Sequence, residues 1–455
     1  MSKILTTTVI AALILSTSAV FGQDYRIGKG TKDGGLGAAQ LSEIEKGYTG
    51  SPEEKALRNA LNTAPINTLA VNADAEKLST EFSDVVPTSG ITDQKSSGRC
   101  WLFSGLNVLR AKMSRDYGLG DFTFSQNYLF FWDQLEKANL FLQGIIDTRD
   151  LPVSDRRVDW LFSSPINDGG QFTGIIDLVT KYGLVPSEVM PESLSSNSTS
   201  QMASRLKSLL RQDALELRAA KAKDTDAMKT AMLKDVYHIL ALCLGVPPKE
   251  FTWKGESYTP KSFYDKYIGK DLAGTYVMMM NDPLREYYKV YEVEYDRHMY
   301  DGHNWTYVNL PMEDIKKIAA SSIKGGDAMY FSCDVNKFLD RKTGISVLSN
   351  FDYSSLLGVG FTMDKKQRVL THDSASTHAM TLIGVNIVDG KPDKWLIENS
   401  WGASSGWNGK LIAADGWMDE YMFRLVAERK YIPENILKIA DTAKPELLPA
   451  WDPLY

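Results

Sequence analysis

The stretch Thr92-Asp93-Gln94-Lys95-Ser96-Ser97-Gly98-Arg99 is polar and turn-prone, and it runs without a spacer into Cys100. Beyond it, Leu102, Leu106, Leu109 and Met113 recur at helical spacing. This pattern predicts a helix that opens at Cys100, buries its apolar stripe and leaves only its first turn facing a cleft. A thiol there meets the unpaired N–H groups and the positive end of the helix dipole, both of which favour the thiolate. The chain must therefore build a core around this helix and a groove at its start.

The remaining sequence can supply such a core. Its 455 residues are 43% hydrophobic and 24% charged, which fits a globular chain of roughly three domains, or one core with a large insertion, and removes disordered and multi-span membrane classes. The 51 Lys+Arg against 57 Asp+Glu leave a net charge of -6, a poor match for a surface that neutralises phosphates, so nucleic acid is not an expected partner. The three cysteines, Cys100, Cys243 and Cys333, are too few for a disulfide framework, and their odd number leaves at least one thiol unpaired within the chain. Lys3 precedes an apolar and small-residue run, Ile4 to Phe21, with Val20 and Gly22 at the -3 and -1 positions of a cut before Gln23. Residues 1–22 thus read as a cleaved signal peptide, giving a secreted or periplasmic protein with no membrane span. Thr6, Thr7, Thr8, Ser16, Thr17 and Ser18 dilute the run below what a membrane anchor of about 20 apolar residues needs.

Residues 23–89 read as an arm, rich in glycine and polar residues, with one helical stretch near Glu53 to Leu61. Residues 90–185 carry the Cys100 helix. Residues 186–275 form a helical insertion with stripes such as Met202, Leu206 and Leu209, or Met232, Val236, Ile239 and Cys243, the latter closing at Gly245. Residues 276–440 alternate short β-type runs with helices, among them Ala328 to Cys333, His378 to Ile387 and Trp395 to Asn399, the last two joined by a turn at Asp389 to Pro392. Residues 441–455 form a C-terminal arm. A helix first and antiparallel strands late predict an α+β fold.

A thiolate nucleophile needs an imidazole partner, and the five histidines are His238, His298, His303, His372 and His378. His378 opens a strand that fixes its backbone at a cleft. Asn399 ends the paired strand and can accept a hydrogen bond from the ring, while Trp401 can cover the pair from water. Gln94, on the loop into the helix, is placed to act with the Cys100 N–H as an oxyanion donor, a role in which one donor contributes about 3 to 4 kcal/mol. Cys243 and Cys333 lie on apolar stripes and read as core. His298 and His303 stand in a polar stretch and read as solvated loop histidines. The cluster Phe122, Phe124, Tyr128, Phe130, Phe131 and Trp132 reads as core. No metal or cofactor is called for.

Three motifs, Gln94 to Phe103, His378 to Val385 and Glu398-Asn399-Ser400-Trp401-Gly402, in this order resemble papain-like cysteine peptidases. Ser97-Gly98-Arg99-Cys100-Trp101, the long span from Cys100 to His378 and the closing Leu448-Pro449-Ala450-Trp451-Asp452-Pro453 are similar to the bleomycin hydrolase and aminopeptidase C branch. The resemblance implies a papain-like fold, with a helical part and an antiparallel, barrel-like β part. It implies Cys100 as nucleophile, His378 as general base and acid, Asn399 as the orienting group and Gln94 as oxyanion donor. It further implies a substrate-binding loop at Asn167 to Gln171 around Gly169 and Gly170, with Trp401 and the terminal Tyr455 also at the substrate. Peptide substrates, hexameric assembly and removal of N-terminal residues under a C-terminal arm follow as expectations. The alternatives are an endopeptidase with an open cleft and a silent papain-like binding protein.

Overall fold

The computed structural model describes residue 28 and residues 30–269 and 271–454. The expected signal peptide and Tyr455 lie outside the described residues. The chain divides into two compact units, one ending at Leu69 and one starting at Ala70.

In the first unit the expected helix forms as Pro52–Leu61. Ser51 caps it through the Glu54 N–H while the Glu54 carboxylate accepts from the Ser51 N–H, and Pro52 occupies the first turn, where no amide donor is missed.

The second unit is α+β, as the order of elements predicts. Its helical part is built on Cys100–Tyr117 and Gln126–Asp147. Leu102, Leu106, Leu109 and Met113 on the first of these helices are all fully buried, and five of the six aromatics between Phe122 and Phe131 or Trp132 are buried too, Trp132 being half-buried. The inserted segment supplies helices Ser200–Ala219 and Thr225–Leu244. Met202, Leu206, Leu210, Val236 and Leu240 join the same apolar cluster as Leu102 and Phe130, so the insertion thickens this core. It also contains a small hairpin, Phe251–Trp253 with Glu256–Tyr258, turned by Lys254 and Gly255, both with positive φ.

The β part is a twelve-stranded sheet among the described residues. Its centre runs Tyr276–Met280, Met422–Glu428, Met329–Cys333, His378–Val388, Lys391–Glu398, Lys410–Ala414, each pair antiparallel. Parallel pairs occur toward the edges, including Glu446–Leu448 against Lys289–Val293. The hairpin after His378 is tighter than the sequence suggests: Asp389 and Gly390, with φ of 49° and 79°, make the whole turn, and Lys391 already belongs to the next strand. A two-residue turn with positive φ at both positions matches the strand twist, and this is why Asp-Gly serves there.

Two buried bonds tie helix to sheet where it matters. Ser104 Oγ donates to the Ala379 carbonyl at 2.8 Å, and Thr381 Oγ1 donates to the Ser104 carbonyl at 3.2 Å. Gly105 allows the close approach of the neighbouring helix Phe172–Tyr182, because a Cβ there would meet Ile175 Cδ1 at 2.0 Å.

Candidate active site

The first turn of the Cys100 helix is fixed by Arg99. This guanidinium has no exposed surface, forms a bidentate pair with Glu192 at 3.1 and 2.8 Å and lies 5.1 Å from the rings of both Phe103 and Phe130. Such a fork holds the helix start in place more firmly than a single hydrogen bond can. From the sheet side, the N–H of Ala379, the residue after His378, favours the Cys100 thiolate electrostatically. Cys100 and the start of the His378 strand line one cavity of ≈ 890 Å³.

His378 Nε2 lies 2.9 Å from Asn399 Oδ1, which also accepts from the Ser400 N–H at 2.8 Å. A backbone amide can only donate, so Oδ1 is the acceptor atom of Asn399 and the His378 proton sits on Nε2. Nδ1 keeps its lone pair for a proton. The Trp401 ring packs on the imidazole with centroids 4.9 Å apart, and the Arg341 guanidinium lies 4.8 Å from the Trp401 ring centre. Trp401 stands behind His378, outside the set of residues that line the cavity. The strand before Asn399 is anchored by a buried pair, Glu398 Oε1 with Arg110 Nη2 at 2.6 Å, which links it to the Cys100 helix.

Gln94 lines the cavity beside Cys100. Its Oε1 accepts from Ser400 Oγ at 2.7 Å, its Nε2 donates to the Ser97 carbonyl at 2.6 Å, and its N–H donates to the Ser400 carbonyl at 2.9 Å. The second Nε2 hydrogen remains for a ligand, and the Gln94 loop and the Asn399 loop are locked to each other.

The protonation pattern sets burial against the helix start. The N–H groups of Trp101 and Cys100 itself, with that of Ala379, favour the thiolate, and burial outweighs them and pushes the Cys100 thiol up. Burial likewise brings His378 down to about 4, against the pull of its Asn399 hydrogen bond. Either charge alone is disfavoured in this enclosure. A proton passed from sulfur to imidazole creates both charges together, and each then compensates the other.

The loop Asn167 to Gln171 forms another part of the wall, with Gly169 and Gly170 lining the cavity. Lys137 Nζ donates to the Gly169 carbonyl at 2.5 Å and the Asn167 carbonyl at 3.1 Å, and Trp101 Nε1 donates to the Asp168 carbonyl at 2.8 Å. A Cβ on Gly170 would meet His298 Cε1 at 2.1 Å, so this position requires glycine. His298 was expected in a solvated loop. It is 2% exposed instead, with Nδ1 at 2.5 Å from Asp133 Oδ1 and Nε2 accepting the Gln171 N–H at 3.1 Å. Burial and the Lys137 ammonium both keep it neutral, and Lys137 and His298 together hold Asp133 ionised below the usual carboxylate range despite its burial. His303 has an exposed side chain that bonds Asp177 at 2.7 Å.

The C-terminal arm reaches the same cavity. After Glu446–Leu448 joins the sheet edge, Ala450, Trp451 and Leu454 line the cavity wall. Asp452 pairs with Arg285, the Leu454 carbonyl accepts from Arg424 Nη2 at 2.9 Å, and Trp451 packs on Arg156 at 4.2 Å. Cys243 and Cys333 are free thiols, the latter buried beside His378 in the sheet register.

A half-buried thiol at a helix start, an imidazole held by a carboxamide and a cleft between a helical and a β part define a papain-like cysteine peptidase. The profile of the Peptidase C1-like family matches residues 35–455, and the chain belongs to that family. It is 35% identical over 430 residues to aminopeptidase C of Listeria monocytogenes, covering 91% of this chain and 97% of that protein. It is 39% identical over 399 residues to bleomycin hydrolase of Gallus gallus, covering 82% and 88%. The crystal structure of PepW from Lactobacillus rhamnosis HN001 superposes with a TM-score of 0.88 at 35% identity, covering 93% of this chain and 99% of that one.

Proposed function

We propose that the protein is a cysteine aminopeptidase that hydrolyses peptides from a free N-terminus, with Cys100 as nucleophile, His378 as proton carrier, Asn399 as the group that orients it and Gln94 as oxyanion donor. The observation that carries this reading is the shared cavity, which Gln94, Cys100 and His378 line together and whose wall includes the chain's own Leu454.

In acylation the proton of Cys100 passes to His378 Nδ1, and the thiolate attacks the substrate carbonyl carbon, forming a C–S bond. The carbonyl electrons move to oxygen, which the Gln94 amide and the Cys100 N–H stabilise. The imidazolium returns its proton to the leaving amine as the C–N bond breaks, leaving a thioester. In deacylation His378 takes a proton from water, hydroxide adds to the thioester, and the thiolate leaves with the carboxylic acid released. Asn399 stays bonded to Nε2 throughout. Gly169 and Gly170 offer an open backbone edge for the extended substrate.

Peptides with free and N-acetylated termini test the reading. Hydrolysis of the free form alone, abolished by Cys100→Ala in a protein of unchanged fold, is expected. Equal cleavage of the blocked form points to an endopeptidase, and turnover surviving in Cys100→Ala overturns the nucleophile.

We further propose export by the leader at residues 1–22, tested by sequencing the N-terminus of the mature protein, and hexameric assembly, supported by the resemblance and tested by sedimentation.

A further inference from the structure

Beyond His378, outside the cavity, Arg341 opens the turn between the strands Leu339–Asp340 and Ile345–Ser346. The turn is firmly set. The Gly344 N–H donates to the Asp340 carbonyl at 2.8 Å, and Gly344, with φ of 75°, lies so close to the next loop that a Cβ would meet the Trp407 nitrogen at 2.7 Å. Arg341 itself is exposed, and its guanidinium lies 4.8 Å from the ring centre of the half-buried Trp401. Its Nη2 donates to the neutral Asn336 Oδ1 at 2.6 Å. The carboxylates of the adjoining loops are committed elsewhere: Asp340 accepts from the Lys342 N–H at 3.0 Å and from Thr343 Oγ1 at 2.6 Å, and Asp93, against which Gly402 packs, pairs with Lys95 at 2.5 Å. Among the described residues Arg341 has no carboxylate partner.

The chemistry gives the two halves of a peptide different surroundings. The acyl half lies along the cavity, whose wall includes Gly169, Gly170, Trp451 and Leu454. The leaving amine takes its proton from His378, so the leaving half departs past that ring, toward Trp401 at 4.9 Å and Arg341 beyond it. Two extended residues span roughly 7 Å, enough to carry a terminal carboxylate from the leaving amine along Trp401 to the guanidinium. A guanidinium matches a carboxylate with two parallel N–H bonds, and packing on an aromatic ring holds it in place to make them. Its charge also reaches the reacting ring: after burial, Arg341 is the group that lowers His378. A carboxylate bound to Arg341 offsets that charge and eases proton uptake by the imidazole.

Resting on the aminopeptidase reading, we propose that Arg341 receives the terminal carboxylate of a leaving dipeptide, which makes tripeptides with a free C-terminus the favoured substrates. An amidated tripeptide brings no charge to the guanidinium, and a longer peptide carries its carboxylate past it. Arg341 is then a specificity residue for the leaving side, separate from the groups that break the bond.

Equilibrium binding of a tripeptide and its C-terminal amide, both with free N-termini, to the full chain carrying Cys100→Ala tests this without turnover. The acid form is expected to bind at least tenfold more tightly. Adding Arg341→Gln brings its affinity down to that of the amide, Arg341→Lys keeps part of the preference, and Lys342→Gln on the same turn keeps all of it. Equal affinities of the two forms with Arg341 present, a preference that survives Arg341→Gln, or an equal loss with Lys342→Gln overturns the proposal. Absence of peptide hydrolysis by the natural chain would instead count against the aminopeptidase reading, while the binding preference would still decide the role of Arg341.

Discussion

The cavity is faced by two buried histidines that the structure treats in opposite ways. His378 is bonded at one nitrogen to a neutral carboxamide and keeps the other free, where a helix start and a strand start line one cavity. His298 is bonded at both nitrogens, to the Asp133 carboxylate and to the Gln171 amide, with Trp101 packed at 4.5 Å. The first can accept and return a proton. The second has no site left for one, and its bonds hold the loop that faces the substrate. The difference teaches that burial alone does not mark a reactive histidine; an unused nitrogen beside a nucleophile does.

Exchanging the two roles should fail by very different margins. His378→Ala is expected to lower kcat about 10²- to 10⁴-fold, the usual range for losing a general acid-base group. A loss under tenfold in steady-state kinetics would remove the distinction between the rings. On the sheet side, Arg110→Met leaves Glu398 buried without its partner and should destabilise the fold by roughly 3 to 5 kcal/mol. Urea melts read this directly, and an unchanged midpoint would mean that the pair does not anchor the Asn399 strand. His298→Asn keeps a donor for Asp133 but withdraws the acceptor from the Gln171 N–H. Leaving that buried donor unmet costs about 1 to 3 kcal/mol, so KM should rise about tenfold or more with kcat within a factor of about two; a fall confined to kcat contradicts a positioning role. Trp401→Ala has the smallest effect. It opens His378 to water, and since burial is what brings that group to about 4, the acid limb of the kcat/KM profile should move upward toward 6.5. A limb that stays put or moves down would assign the shift to some other group.

Much of the reacting wall was legible from the sequence because its residues sit at ends of elements with local signals. The polar loop before Cys100, the helical stripe after it and the Asp-Gly turn after the His378 strand are all short-range patterns. The opposing wall was not. Asp133 and Lys137 stand four apart on a helix, a spacing that carries no mark of burial, yet both are buried where the loop at Asn167 to Gln171 and the turn at Tyr295 to His298 pack against them. No periodicity reports that packing. His298 was misread for the same reason: its neighbours in sequence are polar, and its partners come from more than a hundred residues away.

The central claim is that the half-buried Cys100 thiol ionises by giving its proton to His378, and the pH dependence of its alkylation by iodoacetamide tests this most directly. Burial alone places the thiol above its ordinary value of 9.0. In the His378→Ala protein, alkylation of Cys100, located by mass spectrometry, should therefore rise only above about pH 9. In the natural chain the imidazole takes up the proton, and the rate should already be on a plateau between about pH 5 and 7. Identical profiles for the two proteins, both silent below pH 9, would contradict the account.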